Sequence, residues 1–169
     1  NQSVRFNYLQ DRYAHYLQDI LDPRGVRAAR NEYDAGGRLI AHVDAEGKRI
    51  EYSTDIDART QTVKNRLGQS TTYLFDARGN VLQETNALGE TVRHSYDALG
   101  NELSQTNGEN ETTRWSYDAA GNKLDETNPL GQTTRWVYDG RGQILSQTDA
   151  SGNVTVVNQY NARSGDLLN

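Results

Sequence analysis

Carboxylates are the commonest chemically capable side chains here, and Asp34, Asp76, Asp97, Asp118 and Asp139 each follow an aromatic residue at multiples of 21 positions. A catalytic pair needs two acids in unlike environments. An acid written into successive copies of a repeat reads as a turn former, bonding its own backbone as Asx residues do. The run DIDAR, Asp55 to Arg59, resembles a calcium loop but lacks the third acidic position and the glycine. His15, His42 and His94 are scattered singly, and neither HExxH nor GxSxG occurs. His94 holds the place that Trp115 and Trp136 take in later copies, so it reads as a packed aromatic place-holder. Arg93, Arg114 and Arg135 share one register position and would suit an anionic sugar or cargo, although interspersed Glu and Asp point to a solvated face. Trp115 and Trp136 would stack on a sugar if presented; as members of a register they read as packed. No catalytic, cofactor or metal site is expected, and no enzyme.

The elements that position these residues come from a repeat. Phe75 to Asn158 is one sentence written four times, opened by an aromatic and Asp at Phe75, Tyr96, Tyr117 and Tyr138, and a fixed period of 21 means a repeat array. The register reaches back through Thr54 to Tyr33. The copy at Thr54 is degenerate, with Ala58 where others place Gly, and returns to pattern at Asn65, Leu67 and Gly68. A last copy starts one residue late at Tyr160. The segment 1–20 has apolar residues near one helical face, but HYLQDILD falls where a repeat strand belongs, which favours two strands with a turn near Asp11 and Arg12. Three regions follow: irregular partial repeats at 1–32, the repeat sheet at 33–159, and the start of a truncated repeat at 160–169.

Two turn signals alternate inside each copy. One is the glycine four residues after the aromatic, at Gly37, Gly79, Gly100, Gly121 and Gly142; the other lies around Gly47, Gly68, Gly89, Gly131 and Gly152. Both are hairpin chemistry, and turns about 10 residues apart predict strands of about seven or eight. Period-two alternation puts Val92, His94 and Tyr96 on one face, with Thr113, Trp115 and Tyr117, then Thr134, Trp136 and Tyr138. The structural aromatic row is Tyr33, Phe75, Tyr96, Trp115, Tyr117, Trp136 and Tyr138. A leucine row, Leu82, Leu103, Leu124 and Leu145, recurs on the intervening strands. The expectation is an all-β antiparallel hairpin meander of about 16 strands, in which equivalent residues stack two strands apart; a sheet that wide must curl, since open sheets seldom exceed about ten strands.

Composition narrows the function classes. Hydrophobic residues are 34% of the chain, below the usual globular share, so the core is thin. The 18 basic and 23 acidic residues are dispersed, without the basic stripe of a nucleic-acid footprint. The lack of cysteine excludes disulfides and thiolate zinc sites, and no apolar run approaches the roughly 18 residues of a membrane span. With no Met and a start at Asn1, the sequence reads as a piece of a longer protein. The Asn-x-Ser/Thr acceptors at Asn1, Asn110 and Asn153 matter only in a glycosylating host.

The motif Tyr-Asp-Ala-x-Gly-Asn-x-Leu, then Thr-Asn-x-Leu-Gly-x-Thr-Thr, then Arg-Trp-x-Tyr-Asp resembles the YD repeat of the rearrangement-hotspot (Rhs) family. Bacterial polymorphic toxins, Tc toxin shells, wall-associated proteins and teneurins belong to it. The resemblance implies a long β-strip wound in a spiral as a hollow shell, often around a C-terminal toxin. Fewer than ten repeats would supply one arc of such a wall, and no terminal self-cleavage motif has a counterpart here. The expected function is a structural shell segment of a secreted or cell-surface protein, enclosing or scaffolding a toxin or effector cargo. Its partners would be the rest of the parent chain and that cargo. The rivals are a carbohydrate- or protein-binding surface module and a homo-oligomer joined through open sheet edges.

Overall fold

The computed structural model describes residues 3–10 and 13–168. Asn1 and the expected turn at Asp11 and Arg12 lie outside the described residues. The chain divides into two compact units, Asn1–Ala77 with Glu84–Glu90, and Arg78–Gln83 with Thr91–Asn169. The first contains β1 (Arg5–Tyr8), β2 (Leu17–Leu21), β3 (Arg27–Tyr33), β4 (Leu39–Asp44), β5 (Arg49–Asp55), β6 (Thr60–Lys64) and β7 (Ser70–Phe75). The second contains β9 (Thr91–Tyr96), β10 (Glu102–Thr106), β11 (Thr112–Tyr117), β12 (Lys123–Thr127), β13 (Thr133–Tyr138), β14 (Ile144–Thr148) and β15 (Val154–Val157). The division runs through β8 (Val81–Thr85). Each unit is an antiparallel meander whose strand order is its chain order, and no helix occurs among the described residues.

One loop builds both ends of every regular hairpin. At Asp97 the backbone N–H donates to Asn101 O at 2.9 Å and Gly100 N–H returns to Asp97 O at 3.2 Å. The Asp97 carboxylate then accepts the Leu99 and Asn101 amides at 2.8 and 2.9 Å. Asn65 does the same with Gln69, Gly68 and Leu67. The repeat of 21 is thus a doubled module, Asx-x-x-Gly-x followed by a strand. A three-residue turn ending in a left-handed residue closes the hairpin. Because each loop takes five residues, the strands run four to seven residues, shorter than the spacing of the turn signals predicts.

Two positions show why glycine is required. Gly142 has φ +78, and a Cβ there would stand 3.0 Å from Asn122 Oδ1. At Gly37, φ +81, a Cβ would fall 2.7 Å from the Tyr13 ring. Asn110 fills the glycine place of its loop at φ 63, since Asn tolerates this region. In the degenerate copy the left-handed residue is Arg59, φ 53, one position beyond Ala58.

A second regularity was invisible in the turn spacing. Tyr33 faces Leu39 while Glu32 faces Ala41, which leaves Ile40 as the extra residue of a β-bulge. Leu103, Leu124 and Leu145 are the corresponding extra residues of β10, β12 and β14. The hairpin of β5 and β6 pairs without a bulge, Asp55 facing Thr60 across its shifted loop.

Equivalent residues do not stack directly two strands apart, as the periodicity predicts. Glu32 faces Ala41 and Ala41 faces Glu51, so the residue in line with position 32 is 51, not its repeat counterpart Ser53. Arg93 likewise lines up through Thr106 with Thr112 rather than Arg114. The pairing gains 19 residues where the sequence repeats every 21, an offset of one residue per strand.

Neither unit buries a conventional core. Among the described residues only Ala41 and Asp19 are buried. The chain exposes 11445 Å², against about 8,300 Å² for a compact protein of its mass.

Candidate functional site

The aromatic residues emerge from alternating strand positions, and all seven members of the row are half-buried. Their neighbours are polar as often as apolar. Trp115 faces Glu126 across the strand pair. Lys123 Nζ lies 2.6 Å from Glu126 and 4.4 Å from the centre of the Trp136 ring. The Lys123 ammonium holds the Glu126 carboxyl below its ordinary pKa, with the Trp115 N–H adding to it against the cost of burial. His94 stacks at 6.4 Å on Tyr96 and places Nδ1 2.6 Å from Glu102 Oε1. In the first unit Tyr16 packs 5.2 Å from Tyr33 and 5.0 Å from Tyr13, and Tyr73 lies 6.4 Å from Phe75. Burial pushes the Tyr117 and Tyr73 hydroxyls up in pKa.

Three repeat tyrosines serve the bulges. Tyr33 donates its hydroxyl proton to Leu17 O at 2.8 Å, Tyr138 to Lys123 O at 2.8 Å, and Tyr160 to Ile144 O at 3.0 Å. In each case the acceptor is the residue just before a bulged position, facing the tyrosine of the preceding repeat or, for Leu17, Tyr8. A carbonyl left over by the irregular ladder needs a partner, and the next repeat supplies it. The phenol is therefore a hydrogen-bonding part as well as a packing one. The regular spacing of Tyr over Phe was the signal for this, since Phe would have packed equally well.

The leucine row is uneven. Leu82, Leu124 and Leu145 are half-buried and Leu103 is exposed. All ten turn glycines of the two series, Gly37, Gly79, Gly100, Gly121 and Gly142 with Gly47, Gly68, Gly89, Gly131 and Gly152, have φ between 78 and 91. Asp34, Asp97, Asp118 and Asp149 are held below the ordinary Asp range. For Asp97 and Asp118 the largest cause is the side-chain amide of Asn101 or Asn122; for Asp34 and Asp149 it is the backbone N–H four residues on.

The opposite face differs between the units. In the first, Arg49 clamps both Glu32 oxygens at 3.1 and 2.8 Å and reaches Glu51 at 3.2 Å, while Lys64 reaches Glu51 at 3.2 Å. Ala41 lies between Glu32 and Glu51 in the ladder, under this bridge, which accounts for its burial. Arg27 and Arg30 close on buried Asp19 at 3.2 and 3.0 Å. In the second unit hydroxyl pairs, of which the first unit has one between Thr62 and Thr72 at 3.1 Å, take over the face: Ser95 with Ser104 at 2.6 Å, Thr106 with Thr112 at 2.9 Å, Thr127 with Thr133 at 2.8 Å. Arg135 meets Asp125 at 3.2 Å.

This arrangement defines a class of protein: an antiparallel β-repeat whose identical loops carry two chemically distinct faces. The sequence profile of the RHS Repeat family matches residues 59–91, 96–133 and 122–154, more than half of the chain, and the chain belongs to that family. No curated protein matches the sequence. Among solved structures, that of TcdB2-TccC3-TEV is similar over 83% of this chain with a TM-score of 0.70 and 20% identity. TcdB2-TccC3 matches over 98% with 0.69 and 17%, and TcdB2-TccC3-Cdc42 over 98% with 0.69 and 16%. These likenesses concern the fold, and the chain spans 8% to 11% of those chains.

Proposed function

We propose that this chain is a non-enzymatic wall segment of a hollow RHS shell, belonging to a secreted or cell-surface protein that encloses a toxin or effector polypeptide. The supporting observation is the offset of one residue per strand, present in both units. Closed barrels of eight strands with a shear of eight have the same ratio, and their strands tilt about 36°. A strip with that offset but without closure advances along its axis as it curls, so it winds as a spiral rather than meeting its own edge. A spiral wall needs loops that recur along the strip and faces that tolerate water on one layer, and the chain has both, with one altered loop between β5 and β6. The remainder of the parent chain would continue the strip.

The test is protection. In the parent protein carrying this segment, an enclosed polypeptide is expected to resist trypsin until the wall is opened by replacing Trp115 and Trp136 together with Ala. Equal digestion of the enclosed polypeptide with and without an intact wall would refute enclosure.

A further inference from the structure

The polar face of the second unit carries a charge pattern that the rest of the molecule does not share. Across β9 to β14 it bears Arg93, Arg114 and Arg135 against a single acid, Asp125. Arg93 and Arg114 are exposed, and among the described residues neither guanidinium meets a carboxylate. The chain as a whole has a net charge of −5, so this cationic face is local. Acidic residues are concentrated elsewhere: Asp97, Asp118, Asp139 and Glu111 in the loops at the two ends of the strands, Glu102 and Glu126 on the aromatic face. The offset between repeats sets Arg93 and Arg114 on a diagonal, two strands across and two residues along, about 12 Å apart at the backbone. Between Arg114 and Arg135 lies a depression of about 250 Å³, flanked by Ser116 and Asp125 and containing the Thr127–Thr133 hydroxyl pair.

We infer that this face docks an extended acidic polypeptide segment, its carboxylates taken by Arg93 and Arg114 and its peptide groups lying over the paired hydroxyls. Guanidinium forks bind carboxylates bidentately and hold them better than a point charge would. Serine and threonine hydroxyls both donate and accept, which matches a peptide group. A glycan fits less well, because the rings that would stack on sugars, Trp115, Trp136, Tyr96 and Tyr117, all belong to the other face. The acidic loops repel the same segment from both ends of the strands and keep it on the centre of the face. The inference rests on the charges of one unit and does not depend on enclosure by a shell.

Isothermal titration of the full chain with poly-L-glutamate at low ionic strength tests it, because exposed pairs are screened by salt. Saturable binding is expected, weakened at least about tenfold in the Arg93→Gln/Arg114→Gln double variant. Arg141→Gln/Arg163→Gln, which removes the same two charges from exposed loops, is expected to bind like the wild type, and Arg93→Lys/Arg114→Lys to fall between. Far-UV circular dichroism checks that the variants keep the fold. Equal binding by the wild type and the double glutamine variant overturns the inference. Tighter binding of polygalacturonate than of poly-L-glutamate also overturns it, by showing that the face reads glycans.

Discussion

The polar faces of the two units are built on the same ladder and solve the same problem differently. In the first unit Arg49, Glu32, Glu51 and Lys64 form a chain of ion pairs, with Arg27, Asp19 and Arg30 beside it. In the second unit the places of Glu32, Arg49 and Lys64 hold chiefly Ser and Thr, whose hydroxyls pair across strands. The place of Glu51 holds arginine, of which Arg135 meets Asp125 while Arg93 and Arg114 are left for solvent or a partner. The register in the strand bodies is nevertheless the same. The contrast teaches that face chemistry is decorative with respect to the fold, which is held by the Asx loops and the aromatic face, and that it is free to be spent on recognition.

The comparison is broken most directly through the aromatics. Tyr33→Ala in the first unit and Tyr117→Ala in the second are each expected to cost about 2–3 kcal/mol, below the 3–5 of a wholly buried ring because both are half-exposed. Thermal melting measures this; a loss confined to one unit's variant would mean that the units do not share a scaffold. Next, Gly142→Ala should cost about 1–2 kcal/mol for its left-handed backbone, with a further penalty from Asn122. Gly131→Ala has open space beyond the backbone and should cost only the first part, so denaturant midpoints of the two variants separate loop strain from contact between repeats. Tyr138→Phe, which leaves Lys123 O without its hydroxyl, should lose about 0.5–1.5 kcal/mol. Tyr117→Phe should be nearly neutral, since among the described residues the Tyr117 hydroxyl has no hydrogen-bond partner.

The smallest effect is electrostatic and belongs to the first unit alone. Arg49 and Lys64 hold Glu32 and Glu51 below the ordinary carboxyl pKa. A depressed folded pKa stabilises above the unfolded value, about 4.3 for Glu, and that contribution is lost as pH falls through the folded value. Arg49→Gln should therefore be slightly less stable than the wild type at neutral pH and low salt. The gap should close as the solution is acidified below about pH 4 or as salt is raised. Asp34 in the first unit and Asp97, Asp118 and Asp149 in the second are also held low, so acid weakens the wild type generally, and the informative quantity is the difference between the two curves. A gap that persists at high salt would show that Arg49 acts by packing over Ala41.

Much of the fold was legible from residue types. The loops could be placed because Asp or Asn followed three residues later by Gly leaves few backbone solutions. The faces could be sorted because strand side chains alternate. The identity of the two loop types was less visible, since the Asn-x-Leu-Gly and Tyr-Asp-x-x-Gly versions differ in every neighbour. The ion-pair chain around Arg49 was hidden for another reason: Glu32 and Glu51 come into line only through the pairing of β3, β4 and β5.

By itself the sequence of 21-residue copies determined the strands, the loops that join them and the side of the sheet each residue occupies, because these are local consequences of backbone sterics and alternation. The register was decided only in three dimensions. A bulge at Leu103, Leu124 and Leu145 and a pairing that advances 19 residues per repeat are settled by how neighbouring strands share hydrogen bonds. That pairing places a tyrosine hydroxyl on the carbonyl of a bulge, and it decides which charges meet and which remain unpaired.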